Sequence, residues 1–149
     1  MQLSENNAIA LLLDLNEDIE EYADCAVKNV IVDKNFEYLN YPPNCGFSDL
    51  EKEELHKLDN NPHLKNALRK IIADSSAGVI FNMLNLLDGT GSPKKMYKEW
   101  TGVQLVNEEP ENDSESFAGT LHDYLFETYW TWKKIRDDKD WKLDTLEEN

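Results

Sequence analysis

The chain has 149 residues, 40% hydrophobic and 10% aromatic, with 30 Asp and Glu against 15 Lys and Arg. Such a length and apolar content predict one globular domain spanning 1–149 and exclude a disordered chain. The net charge of −15 repels DNA, RNA and anionic membranes and attracts basic partners, while an acidic surface also serves plain solubility.

The first twenty residues hold a short apolar run, but no base precedes it and acids interrupt it, so no signal peptide is expected. No apolar stretch approaches the roughly 18–20 residues that a bilayer requires. Cys25 and Cys45 are too few for a disulfide scaffold or a zinc site. They read as reduced thiols, buried or half-buried, in a cytoplasmic protein.

In chain order, Ser4 caps a first helix expected from Glu5 to about Val30. Ile9, Leu12, Ile19, Ala23, Ala26, Val27 and Val30 recur at helical spacing, with Asn16 interrupting the stripe. The opposite side carries Asp14, Glu17, Asp18, Glu21 and Asp24, with Glu20 at its edge. Like charges three and four residues apart repel on a helix, so packing must offset them. Such a ridge is either a solvated face or a docking surface for a cationic partner.

Beyond it, Val30–Val32 reads as a short strand or a fraying helix end, and Pro42-Pro43 imposes an extended segment. Phe36, Tyr38 and Tyr41 suggest a loop packed on the body. Ser48-Asp49-Leu50-Glu51 is a capping box opening a short helix to about Leu58.

Asn61 to Gly89 is the longest helical signal, with Pro62 at the first helical position and Gly89 just past the end. Its second half is apolar in nearly every direction, leaving a narrow side of Asp74, Gly78, Asn82 and Asn85. A helix of that kind is expected to be enclosed by its neighbours. The fold class predicted is therefore mostly α, a helical bundle around a buried central helix, with one or two short strands allowed.

After a Gly- and Pro-containing connection, MYKEW reads as a helical turn and GVQLV as the best strand candidate. NEEPENDSES is an exposed acidic loop. A last helix is expected from Ser114 or Ser116 to about Asp137, with Phe117, Leu121, Tyr124, Leu125, Trp132 and Ile135 on one stripe. A second aromatic group, Phe126, Tyr129 and Trp130, lies on the far side near His122. Cover by another helix of the same domain is the simpler explanation, and an interface the other. In the charged tail, Trp141 and Leu143 are expected to fold back.

Catalytic and metal patterns fail on inspection. Glu53 and His56 form a single E-x-x-H pair, where a di-metal bundle needs two. A calcium loop started at Asp138 puts Leu143 where glycine belongs and Asn149 where glutamate belongs. Asp74, Ser75 and Ser76 lack a nucleophile elbow, and Asp88-Gly89-Thr90-Gly91 terminates a helix rather than cradling phosphate. Of His56, His63 and His122, the last draws attention because it adjoins the aromatic face. No catalytic residue, metal or cofactor is assigned.

In size, in acidity and in its long helix ending in Leu-Leu-Asp-Gly, the chain resembles the small acidic bacterial immunity proteins that neutralise toxins by binding them. The resemblance implies a protein-binding function rather than an enzyme, aimed at a basic toxin or nuclease whose active surface it occludes. On that expectation Asp14, Glu17, Asp18, Glu21 and Asp24 steer, and Tyr129 or Trp130 anchors. An anti-restriction protein mimicking DNA charge and an enzyme with a scattered carboxylate and histidine site are the alternatives. A homodimer through the C-terminal helix is compatible with each.

Overall fold

A computed structural model of the chain describes residues 3–43, 45–95, 97–109, 115–137 and 143. It is mostly helical, with α1 (Glu5–Val27), α2 (Asp49–His56), α3 (Pro62–Leu87) and α4 (Leu121–Ile135), and a π-helical turn at Lys28–Asp33. Among the described residues, β pairing is limited to an isolated antiparallel bridge between Ser4 and Ser116. The expected strand at Gly102–Val106 is absent, as is the helical turn over Tyr97–Trp100. A lone β-prone run gains nothing without a partner strand. Met96, the centre of the expected acidic loop (110–114) and Trp141 lie outside the described residues, while Leu143 is half-buried.

The chain divides into two compact units, Met1–Ile19 with Ser75–Asp137, and Glu20–Asp74 with Asp138–Asn149. In the first, Ser4 begins α1 as expected, its Oγ accepting from Asn7 N at 3.3 Å. The same residue is drawn into a buried network. Its N–H donates to Asn107 Oδ1 at 3.0 Å, which also accepts from Asn7 Nδ2. Flanking backbone bonds from Glu5 N to Glu115 O and from Phe117 N to Leu3 O complete the bridge.

Ala8 and Leu12 of α1 are buried, as are Leu84 of α3 and Leu121, Leu125 and Trp132 of α4. Asn16, which interrupts the apolar stripe, is buried too. Its Nδ2 donates to Leu12 O (2.8 Å), Leu125 O (3.2 Å) and Thr128 Oγ1 (3.3 Å), tying α1 to α4. A buried amide is tolerated only with such partners. Gly119, just before α4, lies flush against the Tyr124 ring, and a Cβ there would collide with it.

Helix α3 ends as expected. Gly89 takes φ 71°, and the N–H groups of Thr90 and Gly91 return to Asn85 O. The expected enclosure is not found. Val79 (71% exposed) and Met83 (46%) of the first unit, and Ile71 (61%) of the second, lie open beside the polar line of Asp74, Gly78 and Asn82. The physical reason in the first unit is the number of helices. It has three helical segments, and three rods leave each with an outward side, whatever that side carries.

In the second unit, Ala23, Val27, Ile31 and Phe36 form the buried set, with Ala73. The β-branched Val30–Val32 run is neither strand nor fray but the π-helical turn, which seats Ile31 inside. Lys34 ends it in the left-handed region at φ 51°. From there its Nζ donates to Leu55 O and Leu58 O at 3.2 and 2.6 Å, capping the carbonyl end of α2. The α2 start carries the full capping box of Ser48 and Glu51. Phe36 meets the rings of Phe47 and His56 edge-on, so the aromatic loop packs at Phe36, with Tyr38 half-buried, while Tyr41 stands open at 84% exposure. Both cysteines are exposed free thiols, not buried as expected.

Candidate functional site

Within the first unit, Asp14 and Asp18 stand exposed one turn apart on α1, with Glu17 half-exposed beside them. This part of α1 contains no lysine or arginine to answer them. Within the second unit Glu21 is exposed next to an open Tyr22, whereas Asp24 is engaged. Its Oδ1 accepts from Arg69 Nε at 2.9 Å and lies 2.7 Å from Nη2, while Arg69 Nη1 donates to Asn66. Asp24 thus serves packing. Glu20, placed by sequence at the ridge edge, is wholly buried.

The aromatic face of α4 lies open, contrary to the cover expected from within the domain. Phe126 is 55% and Trp130 60% exposed. Phe81 of α3 leans on Phe126 with centroids 5.7 Å apart, and Tyr129, half-buried, meets Trp130 edge-on at 5.5 Å. Lys133 Nζ sits 5.6 Å from the Trp130 centroid.

His122 closes one end of that face, and its partner is Asp88. Nδ1 lies 2.6 Å from Asp88 Oδ2, and the same carboxylate accepts from Leu121 N and His122 N at 3.0 Å each. Phe81 packs edge-on against the imidazole at 5.3 Å. A carboxylate only accepts, so Nδ1 carries the proton and Nε2 is the remaining nitrogen. That nitrogen looks toward Asp123 Oδ1 at 3.6 Å, not toward a hydroxyl or thiol. An orienting carboxylate and an imidazole are two parts of a nucleophilic triad, and among the described residues no hydroxyl or thiol lies against Nε2 to make the third. What Asp88 does accomplish is to cap α4, whose own N-cap residue Thr120 makes no side-chain cap bond.

Elsewhere in this unit a pocket of about 310 Å³ is lined by Pro93, Lys95, Tyr97, Lys98, Glu99 and Trp100. All six are exposed or half-buried and come from one loop. Among the described residues no group of three or more His, Cys, Asp or Glu is placed to hold a metal ion. Nor is any described helix long and apolar enough to cross a membrane.

Against known proteins, no family model, no curated protein and no solved structure matches this chain.

Proposed function

We propose that the chain is an acidic protein-binding domain of the immunity type, which neutralises a basic toxin by covering its active surface. The observation that carries this reading is the run of outward carboxylates on α1, Asp14, Glu17 and Asp18, on a helix with no base of its own. Packing must offset the mutual repulsion of such a row. A positively charged partner relieves it on contact and is drawn in faster by it. No cofactor enters this function.

The test is to capture the basic protein that the chain binds in its native host and to measure the association rate with it. Reversing Asp14 and Asp18 together to lysine is expected to slow association about tenfold or more at low salt, with the difference shrinking as salt is added. An unchanged on-rate at low salt would show that the row is merely solvated.

A further inference from the structure

The outward face of α4 has a charge order of its own. At about 100° per residue, Asp123, Phe126, Glu127, Trp130, Lys133 and Lys134 fall within an arc of about 120°. All six are exposed. Asp123 stands in the first turn, the two lysines in the last, and Phe126 and Trp130 between them, with Glu127 separating the two aromatics. A face that runs from acidic through aromatic to basic is complementary to itself when turned end for end.

We propose that this face binds a second copy of the chain, α4 against α4 in antiparallel, about a two-fold axis at the level of Thr128. Phe126 and Trp130 stand two residues either side of that level, so each Phe126 meets the Trp130 of the second copy. Asp123 and Lys133 stand five residues either side, so each carboxylate meets the other copy's ammonium. An isologous contact requires this self-complementarity. Phe81, packed on Phe126, extends the apolar centre from α3. Parallel pairing is disfavoured because it sets acid on acid and lysine on lysine along the whole face, whereas antiparallel pairing brings together only the two Glu127 carboxylates, at the rim of the arc. A basic polypeptide is a worse occupant, because Lys133 and Lys134 face it.

Two helix faces of this length bury less than the ~800 Å² per partner of a standard interface, and the net charge of −15 on each copy opposes approach. The dimer is therefore a concentration-dependent one. It stands independently of the toxin-binding reading, which rests on α1.

Sedimentation of the full chain at physiological salt, across a wide concentration series, tests it. The mass is expected to move from monomer toward dimer, and Trp130→Ala to raise the dissociation constant at least ~tenfold. Asp123→Lys and Lys133→Glu, each alone, should abolish the dimer, while an equimolar mixture of the two restores it as a heterodimer. Misfolding cannot mimic that recovery. Should either charge variant lose its circular dichroism, the pair Phe126→Ala and Trp130→Ala carries the test. A parent chain that stays monomeric throughout overturns the proposal. So does a dimer indifferent to these substitutions, or a mixture of two folded charge variants that stays monomeric.

Discussion

Removing Asp88 would strip three bonds at once, two from the first N–H groups of α4 and one from His122. Those amides have no intrahelical acceptor, and Thr120 does not supply one. Asp88→Ala is therefore expected to cost about 1–3 kcal/mol in denaturant unfolding. His122→Ala should cost less, because the backbone caps survive it. Asn16 poses the complementary case. Asn16→Ala removes all three Nδ2 bonds and leaves a small void between α1 and α4, which is expected to cost about 1–2 kcal/mol. Leu125 O and Tyr124 O nonetheless keep their bonds from the Thr128 hydroxyl at 3.2 and 2.8 Å. If Asn16→Ala unfolds at the same denaturant concentration as the parent, the α1–α4 tie is energetically idle. These two residues differ in how visible they were. Asn16 announces itself as a polar break in an apolar stripe, though its partners do not. Asp88 reads as the end of a helix, because the amides it caps lie more than thirty residues further along the chain.

At the scale of elements, short-range chemistry was legible and long-range chemistry was not. The capping box of α2 and the glycine stop of α3 are written within a few residues and appear where expected. The start of α4 falls at Leu121 instead of Ser114 or Ser116, because its cap comes from Asp88, while Ser116 is taken by the bridge to Ser4. The capping box also has a pH signature. Bonds from the Ser48 backbone N–H and then its hydroxyl hold the Glu51 carboxyl below its ordinary 4.5. A carboxylate with a lowered folded value contributes stability that is present above pH 4.5 and is lost as pH falls through that lower value. Amide protection within α2, taken relative to the intrinsic exchange rate at each pH, is accordingly expected to fall below pH 4.5. Glu51→Gln, which can still cap but cannot titrate, should flatten that dependence. The aromatic loop behind α2 responds at the other extreme. Burial, and then the charge of Cys25, raise the Tyr38 phenol above 10.0. Its contribution is complete below pH 10 and lost as pH climbs through the raised value. Stability above pH 10 should fall less steeply in Tyr38→Phe.

Over the whole molecule, the enclosure of α3 was the expectation most exposed to failure, since an apolar composition says what a helix would bury and not how many neighbours exist to bury it. Val79, Met83, Phe126 and Trp130 all show that shortfall. The charge total is different in kind, for it acts without regard to topology. Thirty acids against 15 bases repel one another in the compact state more than in the expanded one. Opposing this are ion pairs such as Arg69 with Asp24 and Lys52 with Glu37. The Arg69–Asp24 pair is part-buried and the Lys52–Glu37 pair open to water, where salt weakens it most. Both effects are screened by salt, with opposite signs. Because acids outnumber bases two to one, most carboxylates have no cation to lose, and relief of repulsion should dominate. Raising monovalent salt from about 0.01 to 0.15 M shortens the screening length from about 30 to 8 Å, which should lift the melting temperature by a few degrees. A melting temperature that falls over the same range would mean that the ion pairs, not the excess acid, govern stability. The excess could then be dismissed as a brake on folding, and the acidic row on α1 would lose its claim to be an unbalanced cost that a partner removes.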